Sequence, residues 1–315
     1  QCAAQQSWSA IWQHLEAESV ARGADPPPRR NVAEAVLTTL EAAEGWLRGR
    51  GMKRMWGPFS LYANEEVGIL IEGHEMPPML SMAHSRTYQA AICDAVGLKK
   101  EKDLLCFRWD GSIPFSARAI KAWEGIKALP EVKLRSVDPS RMEEELRVIM
   151  DIYNDAWSGK WGMVPALPDE VAKIAQDMKL VLDPDIAFIA EVNGKPAGMC
   201  IMVPNLNEAI HDLKGSLFPT GVFKLLWRTK VKHPLTTRLI MLGINHEVRG
   251  NIKRYGGLST AMYVEVAKRG LAKGYVWGEL SWIREDDAPV SLGIKAMGGK
   301  VYKKYRVYTK SLTEG

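Results

Sequence analysis

The chain has 315 residues, enough for about two domains of ordinary size. Its apolar fraction of 46% suits a sizeable buried core, and a net charge of +5 permits an anionic ligand without the charge density of a nucleic-acid binder. No stretch reads as a transmembrane span or a signal peptide, and Cys2, Cys93, Cys106 and Cys200 follow no metal or disulfide spacing, which predicts a cytoplasmic protein with reduced thiols.

In chain order, Trp8, Ile11, Trp12 and Leu15 sit at helical spacing and predict a helix over 7–22. Asp25 and the prolines at 26–28 end it as a stiff linker. A helix over 32–50 stops at Gly51, and a strand over 52–59 follows. A loop then carries Asn64, Glu65 and Glu66. The next helix, 88–96, ends at Gly97 and leads to a strand over 103–109. Residues 111–131 read as a connector. A strand over 132–137 precedes a helix over 142–157, capped by Asp138 or Ser140. Pro168-Asp169-Glu170 opens a helix to about 182. Residues 186–192, Asn193-Gly194 and 195–203 form the clearest hairpin signal in the chain.

Between that hairpin and the next strand lies an apolar excursion with Leu213, Phe223, Leu226 and Trp227, ending in basic residues. Packing against the other half of the chain, a lid over an apolar substrate group and a membrane-surface contact all fit it. A strand over 238–244 then runs into Arg254-Tyr255-Gly256-Gly257-Leu258-Ser259-Thr260, followed by a helix over 261–273. A strand turning through glycines into a helix presents backbone N–H groups and the positive end of the helix dipole, an arrangement suited to a phosphate. Ser259 and Thr260 add hydroxyl donors. Next come Gly274, a strand over 276–283, the acidic turn Glu285-Asp286-Asp287, a short helix, Met297-Gly298-Gly299 and a hairpin-like aromatic run over 301–308.

This order resembles the second half of the GNAT (GCN5-related) acyltransferase fold. In that family an Arg/Gln-x-x-Gly-x-Gly/Ala turn holds the pyrophosphate of coenzyme A, and Arg254, Gly257 and Ser259 occupy those places here. Gly57-Pro58-Phe59 and Glu279-Leu280-Ser281-Trp282-Ile283 resemble segments of bacterial tandem-GNAT proteins. The resemblance covers 132–312 well and 31–110 partially. It implies an α/β fold: a GNAT-type mixed twisted sheet flanked by helices, in two related copies. The pattern at 46–52 parallels 270–275, and 95–99 parallels 296–300. The expected division is a partial copy at 1–115, a connector at 116–131 and an acyl-CoA-binding domain at 132–315 with an insertion at 205–236. The first copy lacks an opening sheet, so either it is degraded or residues before Gln1 are absent.

The resemblance further implies an acyl-CoA-dependent N-acyltransferase that uses acetyl-CoA or another acyl-CoA and no metal. Leu242, Ile244, Arg249, Arg254, Gly256, Gly257, Leu258, Ser259 and Thr260 would hold the cofactor. Glu279 or His246 would serve as general base. The family's general-acid tyrosine would fall near Ile294, which has no proton to give; Tyr302 or Tyr305 could replace it. The expected partner is a small-molecule or peptide amine, with no nucleic acid and no stable membrane insertion; a homodimer stays open. Two alternatives remain: a transferase using a charged tRNA or carrier-protein donor, as in Fem-type peptidyltransferases, and a catalytically silent acyl-CoA-binding module. Walker and nucleophile-elbow motifs are absent, which argues against phosphoryl transfer and serine hydrolysis.

Overall fold

A computed structural model of the protein describes residues 30–60, 66–165, 182–213, 220–230 and 232–313. The helices expected at 7–22 and 168–182, the linker at 25–28, Asn64, Glu65 and part of the 205–236 insertion lie outside the described residues. The chain forms two compact units: residues up to 105 together with 302–315 (unit 1), and 106–301 (unit 2). The last strand, expected in the C-terminal domain, therefore packs with the N-terminal one.

Unit 1 contains α1 (Arg30–Arg48), β1 (Arg54–Gly57), β2 (Ile69–Glu72), α2 (Thr87–Ala95), the first half of β3 (Lys99–Asp110) and most of a long final strand, Lys300–Ser311. That final strand is single, where a hairpin-like run was expected. It is numbered β9 below, after the elements of unit 2. β1 and β2 both pair antiparallel with it, Arg54 opposite Ser311 and Ile69 opposite Arg306. β2 escaped sequence reading because it is only four residues long and carries no alternation. Arg306 binds Asp103 through two hydrogen bonds, at 2.8 and 3.0 Å.

Unit 2 carries α3 (Ala117–Lys127), β4 (Val132–Ser136), α4 (Met142–Trp157), β5 (Ala187–Val192), β6 (Lys195–Pro204), short helix α5 (Asn207–Ile210), α6 (Gly221–Lys230), β7 (Thr236–Ile244), α7 (His246–Gly250), α8 (Ile252–Tyr255), α9 (Leu258–Ala272), β8 (Trp277–Arg284) and α10 (Ala288–Ala296). Its sheet runs β8-β7-β6-β5-β4. β4, β5, β6 and β7 pair antiparallel in turn, whereas β7 and β8 are parallel. The sheet is buried on both faces: the consecutive residues Phe188 and Ile189 of β5 and Met199 and Cys200 of β6 are all fully buried. The residues expected to be a connector hold α3, which packs on α9: Trp123 Nε1 donates to Glu265 at 2.7 Å. Lys121, Glu124 and Lys127 among its apolar residues hid its period. On α6, Phe223, Leu226 and Trp227 are exposed.

The two sequence parallels correspond to one backbone motif. Gly51, Gly97, Gly274 and Gly298 all have positive φ, at 72°, 81°, 90° and 92°. At each, the glycine N–H bonds three residues back and the next N–H five residues back, as in Met52 to Leu47, Leu98 to Cys93, Tyr275 to Gly270 and Gly299 to Ile294. This is the Schellman helix end, and only glycine adopts it without strain. β3 and β9, which follow Gly97 and Gly298, are each 12 residues long. These matched ends support an internal duplication.

Two predictions follow from packing and charge. A β-carbon on Gly243 of β7 would lie 2.4 Å from the Trp157 ring. Gly243→Ala should cost about 1–3 kcal/mol by overpacking. In urea unfolding, Trp157→Leu added to it should recover part of that loss, and strictly additive losses would place the two residues out of contact. The second concerns Asp103. Burial pushes its carboxyl up, but hydrogen bonds from Arg306 and Lys100 outweigh this and hold it below the ordinary value. Its contribution to stability is therefore present above the unfolded carboxylate range and lost as pH falls through the lowered folded value. Thermal melts of Asp103→Asn should show a flatter decline toward acid pH than wild type.

Candidate active site

The ladder between β7 and β8 starts at Thr236↔Trp277 and ends at Leu239↔Leu280. β7 then continues to Ile244 and β8 to Arg284, so the strands part. On its other edge β7 stays paired with β6 as far as Gly198↔Ile244. The β8-facing peptide groups beyond Leu239 thus lose their ladder partner and are open to a ligand. Ile240, Met241 and Leu242 are half-buried in a strand whose other residues are buried, while Ile244 is closed into the core. Trp157 lies against Gly243 and stacks on Tyr153 with ring centroids 5.0 Å apart, which walls one side of β7.

The end of β7 runs straight into α7. Asn245 caps it, its side chain accepting from the Val248 N–H at 3.0 Å. His246 is the next residue, half exposed, and Asp155 of α4 grips it twice. The carboxylate accepts the His246 backbone N–H at 2.5 Å and faces Nδ1 at 3.1 Å. With a proton on Nδ1 toward Asp155, Nε2 offers a lone pair. A cavity of about 330 Å³, lined by Asp151, Asp155, Asn245 and Glu247 among others, opens alongside.

The turn at 254–260 is largely helical where an open glycine loop was expected. Asn251 caps α8, and the Gly256 N–H closes on Ile252 O at 2.9 Å. A β-carbon at Gly256 would lie 2.5 Å from that same oxygen, so the position has no room for a side chain. The anion-binding capacity moves to the start of α9. Ala261 bonds back to Gly257 O at 2.9 Å, so the N–H groups of Leu258, Ser259 and Thr260 have no intrahelical acceptor. Gly257 faces α3, with Ala122 at 3.5 Å from where its β-carbon would be. Arg254 is exposed and held by Glu131 at 2.5 and 2.7 Å. Arg249 is also exposed, reaching Ala156 O at 3.4 Å.

Other predicted residues fall elsewhere. Glu279 is fully buried in the paired part of β8, before the strands diverge. Ser281 Oγ donates to its carboxylate, Arg238 Nε donates to Ser281 Oγ at 2.8 Å, and Arg238 lies 3.7 Å from Glu279. This is a buried ion pair braced by a hydroxyl. Tyr305 lies in unit 1, fully buried, with its hydroxyl donating to Ala83 O at 2.9 Å. Ile294 is buried in α10. The fold thus gathers His246, Arg249 and the end of β7 in one place, with α9 following, and leaves Tyr305 in the other unit.

Asp155 and Lys160 were missed by the sequence reading. Lys160 lies 5.1 Å from the centre of the Trp157 ring. Burial lowers its pKa below the ordinary lysine value, Asp287 opposes the shift, and Arg249 and Arg284 reinforce it. The Trp157-Ser-Gly-Lys160-Trp161 sequence after a helix was the available signal. Among the described residues, no group of three or more His, Cys, Asp or Glu is placed to hold a metal, and no helix is long and apolar enough to cross a membrane.

No family model matches the chain. It is 38% identical over 285 residues to the bacterial ceramide synthase of Caulobacter vibrioides, covering 88% of this chain and 72% of that protein. The chain belongs to the bacterial ceramide synthase family. Protein YghO of Escherichia coli is another relative, 34% identical over 273 residues, which cover 86% of this chain and 69% of that protein. Among solved structures, a GCN5-related N-acetyltransferase from Sphaerobacter thermophilus superposes with a TM-score of 0.53 at 16% identity, covering 91% of this chain and 71% of that one. The fold of this family member is therefore GNAT-like, and its general chemistry is acyl transfer.

The Glu279 arrangement generates a direct test. Glu279→Gln leaves Arg238 buried beside a neutral partner and should cost roughly 3–5 kcal/mol of stability. Turnover per folded molecule should be unchanged. Lost turnover at unchanged thermal stability would instead make Glu279 the proton acceptor.

Proposed function

We propose that this protein is an acyl-CoA-dependent N-acyltransferase that forms a ceramide-type amide, moving a fatty acyl group to the primary amine of a long-chain base. The observation that carries this reading is the 38% identity to a ceramide synthase across 88% of the chain. The parted strands, and the helix start with free N–H groups after β7, support a coenzyme A thioester as donor.

In this reading the pyrophosphate sits at the start of α9, near Arg254, and the thioester reaches the parted end of β7. The amine nitrogen attacks the thioester carbonyl carbon. A β7 backbone N–H on the edge that faced β8, at Leu242 or Ile244, takes the developing oxyanion; the Asn245 N–H is held by Ala197 O at 2.8 Å. As the C–N bond forms, the ammonium proton passes to His246 Nε2, with Asp155 orienting the ring and stabilising its charge. The C–S bond then breaks, and the imidazolium returns the proton to the departing thiolate. The products are an amide and free coenzyme A. Glu279 and Tyr305 take no part; both are committed to buried contacts.

The test is thiol release from long-chain acyl-CoA with long-chain amines, with the amide identified by mass spectrometry. His246→Ala should lower kcat by roughly 10²–10⁴-fold and leave acyl-CoA binding unchanged. Asp155→Asn should lower kcat by less and leave KM alone. Tight acyl-CoA binding without turnover of any amine would make the protein a silent binding module instead.

A further inference from the structure

Unit 2 carries a face that the acyl-transfer reading does not use, on α6 in the insertion between β6 and β7. A surface helix ordinarily turns its apolar residues toward the protein and its polar ones toward water. α6 reverses this at three positions. Phe223, Leu226 and Trp227 are 75%, 51% and 61% exposed. With 3.6 residues per turn they share an arc of about 100°. The half-buried Leu225 and Thr229 lie on the other side. The helix is fixed in this pose by Arg228, which donates to Ala209 O at 2.9 Å and to both carboxylate oxygens of Asp212.

The charges beside this face are of one sign. Lys224 is exposed next to Trp227 on the helix surface. Lys232 is exposed just past the helix end, where its N–H bonds back to Trp227 O at 3.0 Å. No Asp or Glu occurs between Asp212 and Glu247 in the sequence. The carboxylates that precede the helix are committed: Asp212 to Arg228, and Glu208 to the Leu235 N–H at 2.9 Å and the Thr236 hydroxyl. Three apolar side chains on one helix fall well short of the roughly 20–30 residues a side of a stable protein interface. Aromatic and aliphatic groups flanked by lysines, with no free carboxylate, match the boundary of an anionic bilayer instead.

We propose that α6 docks the protein on an anionic phospholipid surface, with Phe223, Leu226 and Trp227 entering the boundary between headgroups and acyl chains and Lys224 and Lys232 meeting the lipid phosphates. The contact is peripheral. It stands or falls independently of acyl transfer, because it is measured without acyl-CoA or amine.

The experiment is co-sedimentation of the full chain with vesicles of phosphatidylcholine alone and of phosphatidylcholine mixed with phosphatidylglycerol, at low and high salt. The expected result is binding to the mixed vesicles that weakens with salt, and little binding to the neutral ones. A lysine near an anionic surface is worth about fivefold in affinity, so Lys224→Gln combined with Lys232→Gln should weaken binding by roughly tenfold to thirtyfold. Phe223→Ser combined with Trp227→Ser should abolish it at an unchanged melting temperature, because both side chains point outward. No sedimentation with either vesicle, equal sedimentation with both, or binding unchanged in either variant pair would overturn the proposal. So would a wild-type dimer that ignores vesicles and dissociates in the serine variant, which would make a second copy of the chain the occupant of this face. If the serine variant fails to fold, the glutamine pair, which removes only exposed ammonium groups, decides between these outcomes.

Discussion

The parting of β7 and β8 is the constraint on which the rest of unit 2 depends. A strand in mid-sheet normally satisfies both edges with neighbours. Here β7 keeps β6 along its length but loses the β8 ladder after Leu239. The exposed peptide groups need either water or a ligand that offers an extended amide-bearing backbone of its own. The surroundings resist closure of the gap. Trp157 occupies the space over Gly243, and the α4 to α7 contact through Asp155 and His246 fixes where β7 ends. The opening is thus held by packing at its rim.

The polar groups around it divide by burial into two kinds. Arg238, Glu279 and Ser281 are removed from water and satisfy one another, so their charges are committed to holding the strand pair where it is still laddered. Changing one member leaves the others uncompensated, which is why such a group reports on stability before chemistry. His246 and Asp155 are about half exposed, at the free end of β7, and the ring keeps one nitrogen uncommitted. A proton acceptor needs that freedom.

Most of unit 2 was legible in the sequence because its elements carry strong local signals. The Asn193-Gly194 turn between two apolar runs gave the β5–β6 hairpin, and the helix over 142–157 matched the observed α4 bounds. What escaped depended on tertiary context. α3 looked like a linker because its buried residues, Ala119 and Ile126, are few and separated by charged ones. The 254–260 segment carried the glycines of an open loop, but the Asn251 side chain starts a helical turn there, a capping effect sequence spacing did not reveal. Strand position alone does not separate the two candidate bases, Glu279 and His246. The partner of His246 is Asp155, 91 residues away in sequence, and such a pairing has no local signature.

The duplicated helix ends indicate what each copy retained. The Schellman glycines at 51, 97, 274 and 298 preserve the turns between elements, and so preserve the frame in both copies. The features that would hold a coenzyme A pyrophosphate were not duplicated with them. α9 begins after Arg254 and two glycines, whereas the sequence shortly before α1 (Arg30–Arg48) has no glycine turn and carries prolines at 26–28 with no N–H to donate. Unit 1 has instead a cavity with apolar walls, Leu40 on its first helix and Ile69 on its sheet among them. A frame that no longer needs to present backbone donors to a phosphate is free to open its core, and in unit 1 it does so between the first helix and the sheet.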